Sequence, residues 1–281
     1  MQLEDPHNPI LFRMDGAVAR ITLNRPDRLN AIDDTSAELW NRIAREIRAS
    51  ETVGAIVLDA RGPAFCAGGD VLAFAQLAGS GGPRVGDLAD LIHEGHAILG
   101  ALPIPILTVV QGTVAGGGLG FMLVGDYILA STEARFVSKY ADIGLTPDCG
   151  VSTLLPQAVG MRRALQLTLS DTSVDAERAL EWGLVTELAP AERLGERAEE
   201  ILAHWLGGAT AAFGEARRLI RAGVERPYSA SLGDEARTID AAFSRPEARE
   251  RIAAFAARGR ARAAAPGAAP TSTASTRGDL S

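Results

Sequence analysis

Cysteine is scarce in this chain of 281 residues: there are two, Cys66 and Cys149. Two thiols cannot build a disulfide framework, so a reducing cytoplasm is the expected setting. There is no surplus of positive charge. Lys and Arg total 28 against 35 Asp and Glu, a formal net charge of -7 with a pI of about 5.2. A nucleic-acid partner needs clustered cations against phosphates. The one Arg-rich run, Arg258, Arg260 and Arg262, reads as a solvated helix end, so no such partner is expected. No apolar run nears the roughly 20 residues that cross a bilayer, so no membrane span is expected either. The opening MQLEDPHNPI is acidic and broken by proline, unlike a signal peptide.

Several catalytic signatures are missing too. Gly112 and Gly117 have the spacing of a phosphate-binding loop, but Gly118 stands where the lysine is required. A dinucleotide fingerprint from Gly116 needs glycine at 121, and Phe121 is there. No Gly-x-Ser-x-Gly elbow occurs. His93 and His96 lie three apart on a helical stretch with no third ligand matched to them in the sequence, so no metal centre is expected. His7 and His204 stand alone, and the two cysteines read as buried structural thiols.

What remains is a soluble-enzyme composition, 47% hydrophobic and 22% charged. Residues 10–26 alternate around Asp15-Gly16, a hairpin pattern. Residues 35–50 place Ala37, Trp40, Ile43, Ala44 and Ile47 on one helical face. AIVLDA (55–60) and PILTVV (105–110) read as strands buried on both faces. Residues 88–102 read as a helix, 112–126 as a glycine turn leading into one, and YILAS (127–131) as a strand. GSGGPR (79–84) reads as a mobile surface loop. After Gly150 helical patterns dominate, with 184–188 the one strand-like stretch. The expected class is α/β, with a core over 1–205, a helical region over 206–262 and a low-complexity tail over 263–281 too polar to bury a core.

Two glycine-rich turns, CAGGD (66–70) and AGGGLG (115–120), each follow a buried strand. Glycines let bare backbone N–H groups approach a ligand. Two such donors converging on one oxygen would form an oxyanion hole; otherwise they only let helix and strand pack closely. Asp148, in GLTPDCG, is equally open at this point. Pro-Asp-x-Gly is ordinary turn chemistry, yet the residue is a carboxylate in an apolar stretch.

The stretches ITLNRPDRLNAI (21–32), AFCAGGDV (64–71), PILTVVQGTVAGGGLGFMLVGDYILAS (105–131), FVSKYADIGLTPDCG (136–150) and LEWGLVTELAP (180–190) together resemble the crotonase superfamily, the enoyl-CoA hydratase/isomerase enzymes, over residues 10–260. The resemblance implies a spiral of ββα units and a C-terminal helical region that builds trimers or hexamers. It implies acyl-CoA thioester substrates, with coenzyme A part of the substrate and no metal or nucleotide cofactor. Carried over residue by residue, the N–H groups of Gly69 and Gly117 form the oxyanion hole. Ala67 and the backbone around it hold the adenine and pantetheine, Arg28 and Leu29 flank the nucleotide end, and Asp70, Val71, Leu72 and Tyr140 belong to the substrate surroundings. An acyl pocket lined by residues 72–90 and C-terminal helices is expected.

Hydratases of this family use two glutamates. Here the corresponding positions are Gly120 and Tyr140, so water addition loses its acid and its base. Asp148 occupies the place where isomerases of the family carry their acid, and IGLTPDCG is similar to the phenylacetate-pathway ring isomerases. A double-bond isomerase using Asp148 is therefore the expected activity. A hydratase or lyase with a differently held water, or an acyl-CoA-binding member without efficient chemistry, stand as the alternatives.

Overall fold

A computed structural model describes Leu3, residues 5–77 and residues 85–264. The loop read at 79–84 and nearly all of the low-complexity tail lie outside the described residues. The chain divides into two compact units, Met1–Asp234 and Glu235–Ser281.

The first unit begins with the hairpin, β1 (Ile10–Asp15) against β2 (Val18–Leu23), in antiparallel register from Ile10↔Leu23 to Asp15↔Val18. Gly16 turns it with φ of 59°, a backbone region closed to most side chains. Helix α1 (Asp34–Ala49) buries the expected face, and its N-cap Asp33 accepts the Ser36 N–H at 2.9 Å. β3 (Ala55–Ala60) follows, then α2 (Val71–Leu77), α3 (Val85–Ala101) and β4 (Ile106–Val110). Short β5 (Thr113–Ala115) precedes α4 (Gly117–Leu123). After it come β6 (Tyr127–Ser131), β7 (Arg135–Val137), α5 (Val151–Val159), α6 (Met161–Leu169), β8 (Ser173–Asp175), α7 (Ala176–Trp182), β9 (Glu187–Ala189), α8 (Leu194–Gly207) and α9 (Thr210–Gly223).

Two sheets result. The larger runs β1-β2-β3-β4-β6-β9, parallel from β2 onward, and the smaller runs β5-β7-β8. The rule that builds them repeats along the chain: a long strand enters the large sheet, a short one enters the small sheet, and a helix follows. β4, β5 and α4 make one such ββα turn, and β6, β7 and α5 the next. In the turn before them Cys66 takes the short strand's place, bridging Val114 in parallel. Stacking these turns gives a spiral of strands with buried, near-continuous apolar runs such as Ile106–Val110, every residue of which is buried. Three-residue β5, β7 and β8 were not legible in the sequence, because three residues are too few to show alternation. The strand expected at 184–188 forms at Glu187–Ala189.

Two polar clamps tie the elements that carry the glycine turns. Asn30 is buried with φ of 55°. It accepts the Arg25 N–H at 2.7 Å and donates to the carbonyls of Arg61 and Ala64, both at 2.8 Å. At the other end, Asp126 accepts the Ile106 N–H at 2.8 Å and pairs at 2.6 Å with both Arg217 and Arg221. This fastens α9 to the start of β4. Asp126 is thus the brace between these elements.

In the second unit α11 (Pro246–Ala264) follows α10 (Tyr228–Phe243), which runs across the boundary. Ile239, Phe243, Ile252 and Phe255 on these helices are exposed.

Candidate active site

The two glycine turns meet. The 66–70 turn is held on one side by parallel bridging of Gly69 to Ile32: the Ile32 N–H donates to the Gly68 carbonyl at 2.8 Å, and the Asp70 N–H to the Ile32 carbonyl at 2.9 Å. In that pattern the residue between, Gly69, turns its own N–H to the opposite side. On the other side the turn abuts the 115–118 turn. A Cβ on Gly68 would lie 3.1 Å from the Gly117 nitrogen, and one on Gly118 would lie 2.4 Å from the Cys66 carbonyl oxygen. Only glycine permits this approach. Gly117 is the first residue of α4, so its N–H has no partner inside the helix. Gly69 and Gly117 both line one small cavity, of about 30 Å³, together with Gly68, Ile32, Phe74, Val85, Leu88, Ala89, Ile92 and Phe121.

Asp148 and Cys149 line the same cavity. The Asp148 carbonyl accepts the Val151 N–H at 2.9 Å across Cys149 and Gly150, whose φ values are 49° and 76°. Both central residues at positive φ are the mark of a mirror-image tight turn. Asp148 is a turn residue and a cavity carboxylate at once; the turn aims it. Its Oδ1 would lie 3.5 Å from a Cβ on Gly117, and Tyr140 Oη only slightly farther, at 3.7 Å. The Tyr140 hydroxyl donates to Asp148 Oδ1 at 2.6 Å. Burial, reinforced by the Asp148 charge, pushes the Tyr140 hydroxyl well above its ordinary pKa, so it stays a donor. The same two causes in the same order push the Cys149 thiol up.

Behind α4 the space is filled. A Cβ on Gly120 would meet the Cys149 carbonyl oxygen at 2.2 Å and the Cys149 Cβ at 2.5 Å. The position of the first family glutamate therefore has no room for any side chain, while the second is Tyr140, buried and committed to Asp148.

The structure brings Gly69, Gly117, Asp148 and Tyr140 together. Ala67, Leu29 and Arg28 stand beside them on a joined pair of loops, the Ala67 N–H donating to the Leu29 carbonyl at 3.0 Å. Leu29 is left-handed with φ of 50° and, like Arg28, exposed. Val71 and Leu72 are exposed at the start of α2. Asp70 is buried with its carboxylate turned to Arg25 at 2.9 Å and to the Ala73 N–H at 3.2 Å. Burial opposes its charge, but those two donors outweigh burial and hold its pKa below the usual value. Asp142 pairs on the surface with Lys139 at 2.7 Å.

Three residues of the site were missed in the sequence. Arg25 joins Asp70, Asp33 at 3.2 Å and the Ala31 carbonyl. Asp33 is a second carboxylate lining the cavity, held by the Ser36 N–H and hydroxyl; it carried only the signal of a helix N-cap. His93 accepts the Cys149 N–H on Nε2 at 3.0 Å. It stands 56 positions away, so no local spacing announces it. The expected acyl pocket takes Phe74, Val85, Leu88 and Ala89 from 72–90; among the described residues no C-terminal helix lines it.

The family model for enoyl-CoA hydratase/isomerase matches residues 13–263. The chain belongs to the enoyl-CoA hydratase/isomerase family, within the crotonase superfamily. It is 29% identical over 250 residues to the 1,2-epoxyphenylacetyl-CoA isomerase of Escherichia coli K12, covering 89% of this chain and 95% of that one. It is 32% identical over 253 residues to a probable enoyl-CoA hydratase of Rhodobacter capsulatus, with the same coverage. A structure from Thermobifida fusca YX in complex with acetoacetyl-CoA superposes with a TM-score of 0.76 at 26% identity, covering 84% of this chain and 95% of that one. No helix among the described residues is long and apolar enough to cross a membrane.

Proposed function

We propose that this family member is an acyl-CoA double-bond isomerase. The thioester carbonyl oxygen sits between the N–H groups of Gly69 and Gly117. Asp148 removes a proton from the carbon next to the thioester of a 3-enoyl-CoA, and the electron pair delocalises onto the thioester oxygen. The same carboxyl then returns the proton two carbons along, giving the 2-enoyl-CoA. One base serves both steps because the two N–H donors hold the charge in between; a single such donor is typically worth about 10²–10³ in rate. Tyr140 positions the carboxylate through its 2.6 Å bond. The loops at Arg28–Leu29 and Ala67, with Val71 and Leu72, receive the CoA end, and Phe74, whose ring covers Gly69, moves aside for the acyl chain.

One observation carries the reading: the cavity that gathers Gly69 and Gly117 contains Asp148, while Gly120 has no space for a glutamate. A hydratase needs a second carboxylate, and Asp33 is the candidate. Its oxygens are already taken up by Ser36 and Arg25, which favours the one-base reaction. The chemistry as read needs no metal or nucleotide cofactor. The exposed apolar residues of α10 and α11 support assembly into a homotrimer, or a hexamer of two trimers. The test is to give the purified protein 3-enoyl-CoA and 2-enoyl-CoA in water. Conversion of the first, without 3-hydroxyacyl-CoA from the second, is expected; hydration of the second with no turnover of the first overturns the reading.

A further inference from the structure

We propose that His93, Asp148 and Cys149 bind a thiophilic divalent cation of the Zn²⁺ class, and that this cation blocks the cavity rather than serving it. One ligand atom from each, imidazole nitrogen, carboxylate oxygen and thiol sulfur, lies within 4.8 Å of the other two. Zn–S of about 2.3 Å and Zn–N or Zn–O of about 2.0–2.2 Å in a tetrahedron set the ligands roughly 3.3–3.7 Å apart. Closing the group on an ion takes about 1 Å of movement. No other group of three ligating residues meets that distance among the described residues.

The three are held from two independent elements. Asp148 and Cys149 are fixed by the tight turn ahead of α5. Tyr140 orients one carboxylate oxygen of Asp148, and ligating carboxylates are characteristically anchored by such a bond. His93 comes from α3, is exposed, and already points its Nε2 at residue 149. Its one bond there is the bond that metal would replace. Imidazole with thiolate selects Zn²⁺-like ions over Mg²⁺ and Ca²⁺. The thiol enters as thiolate, its proton leaving to solvent, so binding strengthens as pH rises. Protein supplies three ligands, and the fourth position opens into the cavity where the substrate carbon is read to sit. Cys66 offers no such set: its Sγ donates to the Asn30 carbonyl at 3.2 Å, and among the described residues it belongs to no group of three ligating side chains.

The cation site rests on geometry alone; the block of turnover rests on the isomerase reading. The test separates them. The full-length reduced protein is titrated anaerobically with Co²⁺ and followed by the thiolate-to-cobalt absorption band, which Zn²⁺ then bleaches. A one-to-one band is expected in the native protein and in Cys66→Ser, and its absence from Cys149→Ser. His93→Ala, at an exposed helix position that leaves folding intact, weakens binding about tenfold or more. Absence of the band in the native protein overturns the site. So does a band that survives Cys149→Ser, or unchanged affinity in His93→Ala. Zn²⁺ that binds in this way yet leaves turnover intact overturns the block while sparing the site.

Discussion

Gly120 gives the sharpest structural reason for this chain's departure from the two-glutamate pattern. A methyl group there would stand 2.2 Å from the Cys149 carbonyl oxygen, where carbon–oxygen contacts normally keep about 3.3–3.6 Å. The obstacle is backbone, so Cys149 must retreat by about 1 Å. Overpacking that moves backbone costs up to about 3 kcal/mol, and replacing glycine in a helix regains about 1 kcal/mol. Gly120→Ala should therefore lose about 2 kcal/mol. Moving Cys149 also moves Asp148, its neighbour, and a 1 Å misplacement of a reacting group costs about 10² in rate. Gly120→Glu adds an unpaired carboxylate at a buried position and loses several kcal/mol more. Urea unfolding of both variants, with turnover of 3-enoyl-CoA and hydration of 2-enoyl-CoA, checks this. Native stability in Gly120→Ala, or a folded Gly120→Glu that hydrates, would refute the reasoning.

Tyr140→Phe removes a charge-assisted bond of about 1.5–3 kcal/mol. Its kcat should fall about 10-fold or more with KM little changed; a fall in affinity alone would mean Tyr140 contacts substrate instead. Asp126→Asn leaves Arg217, buried beside the Gly100 and Leu102 carbonyls, without its anion. It should cost about 3–5 kcal/mol in urea unfolding, and a cost under about 1 kcal/mol would contradict the brace. His96 has its pKa lowered from 6.5 to about 3, by burial first and by nearby His93 second, and its Nδ1 accepts the Trp40 indole N–H at 2.9 Å. Between those pH values the unfolded chain binds the proton that the folded one refuses, so stability should fall with falling pH from about 6.5 towards 3. His96→Gln should flatten that part of the curve, and an unchanged slope would remove His96 from the account.

The long elements were legible because burial imposes a pattern on them. Ala55–Ala60 and α1 appear where their apolar runs and periodic faces put them. The glycine turns could be flagged but not joined, since the approach that would leave a Cβ on Gly68 only 3.1 Å from the Gly117 nitrogen depends on two strands lying side by side in space. Asp148 was visible as a turn-former, and its aim into the cavity follows from two positive φ values, of which Gly150 announces one and Cys149 does not announce the other. His93 and Asp33 were hidden for the same reason: each reaches the site through the packing of a helix whose own sequence shows only an amphipathic face or a cap.

The most direct measurement is the turnover of 3-enoyl-CoA by Asp148→Asn, with affinity for a CoA thioester measured alongside. The account predicts a loss of about 10²–10⁴ in kcat with thioester affinity and fold unchanged. Full turnover in that variant would contradict it and leave Asp148 as a turn residue only.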